Sequence, residues 1–520
     1  MGALPTGVNT TVAPGMASAS APALPPKPTH SETNHPMKQR TTFTALAAAA
    51  LLSGFAGAQV CTPVIDMNTI GTGFSSNPEG EILNITNDEE YSFLSLGGEL
   101  FFEARGLNGS ELWKTDGTTA GTVEVADIRT GVDSSSPADL LVYNGRLYFT
   151  AQDNAVGREI WSTDGTTGGT VLLKDIQAGG TNAFSSTDNN FMVFNGELFF
   201  KASDGNTGTE LWKTDGTSAG TVLVKDIEFG LSSSSPDWLT PISPTQMIFT
   251  ATDSTVGKEL FTTDGTTAGT TLLIDLDSNF ITGDGAPSDL HPVGGSYFLF
   301  VANDGLTGQE LYRWDNGVGA TQLMDIRPGN FGSNIDEFYT CYLGGKLVTF
   351  FEADDGGTGK EVWITDGTSA GTNLLKDING SGHAYPGQFH YHPIHDVVFF
   401  SATDDGNGSE LWKTDGTAAG TTMVADINPG GSSGPWEIVD YGLDVFFRAT
   451  DGVNGQELWK SDGTAVGTSL AVELTPGAGS SSISKLMVFD GGLVFSGDTG
   501  FTGLELFVSD GTPAGTSLVV

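Results

Sequence analysis

A short stretch that recurs along the whole chain limits the folds that this chain can adopt. Its clearest copy is ELWKTDGTSAGTVLV at 210–224. Successive copies begin 47 to 51 residues apart, and the chain ends inside the last copy. The copies begin at Glu111, Glu159, Glu210, Glu259, Glu310, Glu361, Glu410, Glu457 and Glu505. A period near 50 residues with strand-like content is typical of propeller blades, which are about 40 to 50 residues long.

Each repeat contains the residues for four short strands. The segments ELWKT and TVLVKDI flank the tight loop DGTSAG, and both are rich in apolar and β-branched residues. A second hairpin precedes them, as at 191–202, where Asn195-Gly196 is a strong turn signal. The aromatic residue of the ELW step and the Leu before it point to opposite faces of a strand. Each sheet is therefore expected to pack against a neighbour on both sides.

We predict an all-β protein, a β-propeller of about nine four-stranded blades. The chain stops at 518–520, where other copies continue into an Asp and an Ile, and 63–67 has the form of that missing continuation. A ring closed by N- and C-terminal strands that share one sheet explains this phase and leaves no exposed edge. Because propellers typically have four to eight blades, eight blades and an open β superhelix are kept as alternatives.

The N-terminal residues have a different composition from the repeats. Residues 1–36 are rich in Pro, Ala, Ser and Thr, and we expect them to be disordered or a non-native extension. Residues 37–58 have the form of a signal peptide, with a basic start, an apolar stretch and small residues before the cleavage site. The apolar stretch is shorter than the roughly 18 to 20 residues of a membrane span. We expect 59–520 to be one propeller of nine repeats that is secreted, periplasmic or on the cell surface.

The repeated pattern, ELW-x-TDGT-x-x-GT followed by V-x-DI, resembles the ELWxxDGT repeat of secreted bacterial proteins. The resemblance covers nearly everything after Cys61. It implies a secreted, propeller-like repeat protein and carries over no catalytic residues. One copy departs from the pattern with the run YRWDNG at 312–317, which predicts an altered hairpin there.

The net charge of −41 follows largely from the repeat, because four repeated acidic positions supply 33 of the 63 Asp and Glu residues. With 22 Lys and Arg and no basic cluster, nucleic acid and anionic membranes are disfavoured as partners. We expect the ELW Glu to hydrogen-bond to backbone or Thr of an adjacent strand or blade, since a buried carboxylate needs partners.

A further repeated acidic residue lies six positions before the ELW Glu, as Asp204 does in the loop A-x-D-x-x-x-G-x-E. Such an Asp usually bonds the turn backbone, and this is the interpretation we favour. Oxygen-rich loops can also hold Ca²⁺, which keeps Ca²⁺ as a possible cofactor.

Two segments differ from their counterparts in other copies and are candidate metal sites. The first, GHAYPGQFHYHPIHD at 382–396, contains four of the seven His residues. On a strand His390 and His392 would share a face, so that together with His395 they could bind Zn²⁺ or Cu²⁺. A binding rim and a purely structural use are the alternatives. The second segment, DLDSNFITGDG, has Asp275 and Asp277 as possible cation ligands.

The sequence lacks G-x-S-x-G, phosphate-loop, HExxH and paired CxxC motifs. The leading interpretation is an exported scaffold that binds an extracellular protein or glycan through its blade loops. The alternative is a secreted hydrolase or lyase with a channel-centred site that a metal could assist, because propeller enzymes can build a site from separate loops. The sequence leaves enzymatic activity open and favours binding.

Overall fold

The computed structural model describes residues 93–519 except 187–188, 278–283, 296, 381 and 501–502. This part of the chain forms nine four-stranded antiparallel sheets arranged as a β-propeller. Its helices are two single 3-10 turns, Thr167–Gly169 and Ser369–Gly371. No helix among the described residues is long and apolar enough to cross a membrane. The predicted fold class is confirmed, with nine blades.

The strands follow the sequence, four to a blade. They are β1 (Leu94–Leu96), β2 (Glu99–Gly106), β3 (Gly109–Thr115), β4 (Val123–Ala126), β5 (Ala138–Tyr143), β6 (Arg146–Asp153), β7 (Gly157–Thr163), β8 (Val171–Lys174), β9 (Met192–Phe194), β10 (Glu197–Ser203), β11 (Thr209–Thr214), β12 (Val222–Lys225), β13 (Asp237–Ser243), β14 (Gln246–Asp253), β15 (Gly257–Thr263), β16 (Thr271–Ile274), β17 (Ser288–Val293), β18 (Tyr297–Asn303), β19 (Gln309–Asp315), β20 (Gly319–Met324), β21 (Asp336–Leu343), β22 (Lys346–Asp354), β23 (Lys360–Thr365), β24 (Asn373–Lys376), β25 (Gly387–His392), β26 (Val397–Asp404), β27 (Gly408–Thr414), β28 (Thr422–Ala425), β29 (Trp436–Tyr441), β30 (Asp444–Thr450), β31 (Gln456–Ser461), β32 (Ser469–Val472), β33 (Ser484–Phe489), β34 (Gly492–Asp498), β35 (Leu504–Ser509) and β36 (Ser517–Leu518).

The order of strands within a blade defines two faces of the ring. The first strands of neighbouring blades contact one another, so the first strand of each blade is innermost and the fourth is outermost. The connections from a fourth strand to the next first strand lie at one end of the sheets, together with the hairpins between second and third strands. We call this end the crossover face. The opposite end carries the DGT loops and the hairpins between first and second strands, and we call it the DGT face.

The ELW step packs each blade between its two neighbours, as the sequence predicted. In blade 3, Leu211 lies in one buried cluster with Met247 and Phe249 of blade 4. Trp212, on the other side of the sheet, is buried with Ile160 and Leu173 of blade 2. Because successive side chains of a strand point to opposite faces, this one strand makes apolar contacts with both neighbouring blades.

The ring closes where blade 9 meets blade 1. Phe102 of blade 1 and Val494 of blade 9 belong to one buried cluster. The Thr119 hydroxyl donates to the Val519 carbonyl at 2.8 Å. All four described strands of blade 9 come from the C-terminal segment. The segment 63–67, which was predicted to share that sheet, lies outside the described residues, as do 1–36 and the signal-peptide segment 37–58.

The DGT loop is a turn held by its own Asp. In blade 1, Asp116 Oδ1 accepts hydrogen bonds from the Thr118 amide at 2.9 Å and the Thr118 hydroxyl at 2.7 Å. A Cβ atom at Gly121 would come within 1.9 Å of that oxygen, so only glycine fits. The altered copy lacks this loop, as predicted: β19 and β20 extend toward each other, and Arg313 pairs with Asp315 at 2.6 Å.

The ELW Glu is buried and holds the connection that leaves its own blade. Glu210 Oε1 accepts from the Ser234 amide at 2.8 Å, and Oε2 accepts from the Ile227 amide at 3.0 Å and the Ser234 hydroxyl at 2.5 Å. Both partners lie between blades 3 and 4. The predicted backbone partner is confirmed, while the hydroxyl belongs to Ser rather than Thr. Equivalent bonds to the following connection are made by Glu111, Glu159, Glu259, Glu310, Glu361, Glu410 and Glu457.

Burial raises the pKa of these carboxyl groups, and the hydrogen bonds that they accept offset the rise only in part. The pKa is raised to about 7 in six copies, namely Glu159, Glu210, Glu259, Glu310, Glu361 and Glu457. Nearby acidic residues add to the rise, as Asp226 does for Glu210.

We predict that Glu210→Ala lowers the free energy of unfolding by about 2–4 kcal/mol, because three buried donors lose their acceptor. The matched control is Glu505→Ala. Glu505 occupies the same repeat position but makes no hydrogen bond within the described part of the chain, and we expect a loss below about 1 kcal/mol. Denaturant unfolding of both variants measures the difference. Equal losses would contradict the assigned role of Glu210.

The raised pKa values predict a pH dependence of stability. A Glu whose pKa is near 7 when folded and 4.5 when unfolded binds more protons in the folded state between these values. Its contribution is therefore fully present below pH 4.5 and is lost as pH rises through 7. The thermal midpoint should fall between pH 5 and pH 8, and Glu210→Gln should reduce the slope. A midpoint that rises over this range would be inconsistent with these pKa values.

Candidate functional site

Side chains on strained backbone, all polar except that of Trp238, surround the central opening. At the start of the innermost strand, blades 2 to 9 each have one non-glycine residue with φ between 54° and 60°. A bulky residue in this region costs roughly 1–2 kcal/mol. Some of the side chains reach to the next blade: Gln388 Oε1 accepts from the Glu437 amide at 3.0 Å, and Glu437 Oε1 accepts from the Lys485 amide at 2.8 Å. The residues are Asp139, Asn190, Trp238, Asp289, Glu337, Gln388, Glu437 and Lys485.

A cluster of charged residues distinguishes blade 6 at its crossover-face end. We call Asp336, Glu352, Asp354 and Lys360 the blade 6 cluster. In the sheet, Asp336 is opposite Glu352, and Lys360 is opposite Asp354. Glu352 and Asp354 are two residues apart on β22 and so share one face. In other blades the position of Glu352 is occupied by Thr150, Lys201, Thr250, Val301, Ser401, Arg448 and Ser496, with Glu103 in blade 1.

The two buried carboxylates of this cluster are each paired with a cation. The Lys360 ammonium donates to Glu352 Oε1 in a short contact. Arg327, from the connection between blades 5 and 6, donates through Nη1 to Asp354 Oδ2 at 2.8 Å. The Glu352 and Asp354 side chains are 7% and 10% exposed. Partly buried charge pairs of this kind hold their geometry because each ion needs its partner.

Exposed aromatic rings lie next to these cations. The Tyr385 ring, 56% exposed, has its centroid 5.8 Å from Lys360 Nζ and 5.2 Å from the His383 ring. His383 Nδ1 accepts from the Lys360 amide at 2.8 Å. The Arg327 guanidinium lies 5.4 Å from the centroid of the exposed Phe331 ring. The connections on both sides of blade 6 therefore place one aromatic side chain each beside the charged residues.

Burial raises the pKa of Glu352 to about 7, although Lys360 acts in the opposite direction. The nearby carboxylates of Asp336 and Asp354 add to the rise. Burial alone would lower the pKa of Lys360, but its pKa is raised because Glu352 stabilises the charged form. The pKa of Glu352 is therefore raised well above that of an exposed Glu, even though Lys360 stabilises its charged form.

The structure brings His390, His392 and His395 together near Asp440 of blade 8. His390 Nε2 lies 2.8 Å and His392 Nε2 3.9 Å from Asp440 Oδ1. The rings of His392 and His395 stack at 4.6 Å, and His392 Nδ1 accepts from the His395 amide at 3.3 Å. Burial lowers the pKa of His392. The four His residues of 382–396 therefore do not form one group. His383 lies on the crossover face, whereas His390, His392 and His395 lie toward the DGT face.

The second predicted cation site is described only in part. Asp277 is buried and Asp275 follows β16, but residues 278–283 are not among those described. The nearby Asp284 accepts from the Ala286 amide at 3.0 Å. Across the described residues, no group of three or more His, Cys, Asp or Glu is arranged to hold a metal ion. Metal binding by Asp275 and Asp277, or by the three His residues, stays a prediction.

In blades 2 to 8, the repeated Asp of the hairpin between second and third strands bonds its own turn, as predicted. Asp204 Oδ1 accepts from the Asn206 amide at 2.8 Å and the Thr207 amide at 2.9 Å. Corresponding turns are held by Asp153, Asp253, Asp304, Asp355, Asp404 and Asp451. One oxygen of each carboxylate is thus used by the turn backbone.

Exposed apolar side chains are concentrated on the crossover face. Among the described residues outside strands, eight exposed large apolar side chains lie there and four lie on the DGT face. All three aromatic residues of this set, Phe229, Phe331 and Tyr385, are on the crossover face. The eight are Leu107, Val132, Phe229, Leu231, Leu306, Phe331, Tyr385 and Val453, and the four are Val318, Ile394, Leu443 and Val466.

No protein-family model and no curated protein matches the chain. Among solved structures, it is similar to one from a study of two prolyl endopeptidases, with a TM-score of 0.37 and 13% identity over 72% of this chain and 54% of that one. It is also similar to puromycin hydrolase, with a TM-score of 0.34 and 12% identity over 74% of this chain and 60% of that one. The chain thus spans less than two thirds of these proteins. At these TM-scores and sequence identities, the similarity does not assign the activity of those proteins to this chain.

We predict strong coupling between Glu352 and Lys360. Lys360→Met should lower the free energy of unfolding by about 1–3 kcal/mol, because it leaves a largely buried carboxylate without its cation. Adding Glu352→Gln should restore most of that loss. A double-mutant cycle from denaturant unfolding at pH 8 measures the coupling. Additive effects of the two substitutions would contradict the pairing.

Proposed function

We propose that this protein is an exported scaffold of the ELWxxDGT type that binds an extracellular protein or glycan through the loops of its crossover face. The observation that carries the proposal is the concentration of exposed apolar side chains, including every exposed aromatic residue outside the strands, on that face. Aromatic residues are enriched in interaction sites relative to the rest of a protein surface.

The crossover face is well suited to present side chains in fixed positions. Each connection is held from below by the ELW Glu, as Ile227 and Ser234 are by Glu210. Phe229, 91% exposed, lies between these two anchored residues. A loop that is already ordered loses less conformational entropy when a ligand binds, which favours affinity.

Export and the choice of partner rest on the sequence. The basic, apolar and small-residue regions of 37–58 support cleavage of a signal peptide and a location outside the cytoplasm. The net charge of −41 disfavours nucleic acid and anionic membrane surfaces as ligands.

A second candidate function is a secreted hydrolase with a site near the central opening. The observation that favours it is the position of Glu352, a largely buried carboxylate bonded to Lys360 beside the exposed Tyr385 ring, where it could exchange a proton with a bound ligand. Turnover of a bound ligand by the wild-type protein, abolished in Glu352→Gln, would support hydrolysis over binding alone.

We expect paired substitutions on the two faces to separate binding from folding. The double variant Phe229→Ser, Phe331→Ser should weaken binding to a ligand from a panel of cell-envelope glycans and surface proteins at least tenfold. The matched double variant Val318→Ser, Val466→Ser, on the DGT face, should bind as the wild type does. Affinities can be measured by calorimetry on the mature chain. Absence of binding by the wild type, or equal losses in both variants, would contradict the proposal.

A further inference from the structure

We infer that Tyr385 and the blade 6 cluster form a binding site for an oligosaccharide without acidic groups, that is, a neutral or amino-sugar chain. The inference rests on the proposed binding function and names the ligand class and place on the crossover face. It depends on four features of this location: an aromatic platform, a strained backbone, fixed polar groups and the sign of the local charge.

Tyr385 supplies a flat apolar surface on which a sugar ring can stack. Its ring is 56% exposed, and its position is fixed by His383 on one side and by the Lys360 ammonium on another. An aromatic ring next to a cation and a second ring has little freedom to turn away. Stacking on such a platform uses the apolar C–H face of a sugar and leaves its hydroxyl groups free to bond elsewhere.

Tyr385 is a bulky residue on strained backbone, at a position where the other described copies have small or polar residues. Its φ of 46° lies in the left-handed region, which non-glycine residues adopt at a cost. Three residues before the strained residue of the innermost strand, the other blades in which this position is described have Ser136, Ser235, Ala286, Asn334, Gly434 or Ser482, and the non-glycine residues among them share this conformation. The backbone is therefore common to the copies, whereas the exposed aromatic ring is specific to this one, which points to a use in binding.

The polar groups of a sugar-binding site lie beside this platform. Glu352 Oε1 is held by Lys360, whereas its Oε2 accepts no hydrogen bond within the described part of the chain. A carboxylate oxygen fixed in this way can accept from a sugar hydroxyl or ammonium group. Lys360 has two further N–H donors for ring or hydroxyl oxygens. The Arg327 bond to Asp354 fixes the neighbouring carboxylate.

The charge of the site selects against anionic sugars. Asp336, Glu352, Asp354 and Asp355 lie at this end of blade 6, and Lys360 and Arg327 are the cations that pair with Glu352 and Asp354. The excess of carboxylates repels uronic and sialic acids and attracts amino sugars. A sulfated or carboxylated glycan would bring a like charge against these groups without a spare cation to receive it.

The test is calorimetric titration of the mature chain with neutral, amino-sugar and uronic-acid oligosaccharides of equal length. Neutral or amino-sugar chains should bind, and uronic-acid chains should bind at least tenfold more weakly. The Tyr385→Asn variant should bind at least tenfold more weakly than the wild type and unfold at the same thermal midpoint. The fold should tolerate Asn, because Asn334 occupies the equivalent position before blade 6 with φ of 48°. Glu352→Gln should also weaken binding. Val466→Ser, in a DGT loop on the opposite face, should bind like the wild type.

Four results would overturn the inference, and the third of them separates it from the proposed function. Equal affinity of Tyr385→Asn and the wild type would place any sugar elsewhere. Preference for uronic-acid chains would contradict the charge argument. Absence of sugar binding, while a protein ligand is bound and lost in the Phe229→Ser, Phe331→Ser variant, would refute the inference and leave the proposed function standing. Absence of any ligand would refute both.

Discussion

The fold depends on a buried carboxylate that holds each connection between blades. After the outermost strand of a blade, the chain crosses one end of the ring to begin the innermost strand of the next blade. This connecting segment is not part of a sheet, so its amides need other hydrogen-bond acceptors. Glu210 provides the missing acceptor through bonds 17 and 24 residues along the chain, to Ile227 and Ser234. Because these offsets recur in copies such as Glu111, they keep the spacing of blades nearly constant.

This arrangement separates the residues that every copy must share from the residues that can differ between copies. The Leu and aromatic residues of the ELW step pack blade on blade, and the DGT turn is closed by its own Asp. None of these contacts uses the side chains between the two anchored points of a connection. Residues such as Phe229 and Phe331 can therefore change from copy to copy without loss of the ring. These two aromatic residues of the crossover face lie between the anchored points, and Tyr385 directly follows the position that corresponds to Ser234.

Repetition made the fold predictable from sequence. Nine copies of one motif determined the number of blades, the burial of Leu211 and Trp212 on opposite faces, and the altered hairpin near Trp314. The candidate site was less predictable, because Arg327, Glu352, Lys360 and Tyr385 come from different strands and connections and share no motif. Only the departure of Glu352 from its counterparts, such as Thr250 and Ser401, could have indicated it. The His-rich segment was interpreted as one unit, but β25 spans the blade and carries its two ends to opposite faces.

Hydrogen exchange of the connection amides tests the role of the buried Glu most directly. In the connection between blades 3 and 4, the Ile227 and Ser234 amides donate to Glu210, whereas Phe229, Leu231 and Ser232 lie between them at the surface. The account predicts that the Ile227 and Ser234 amides are protected as strongly as strand amides of β11, and that the amides of these three exposed residues exchange rapidly. Exchange of Ile227 and Ser234 at the rate of Phe229, Leu231 and Ser232 would contradict it.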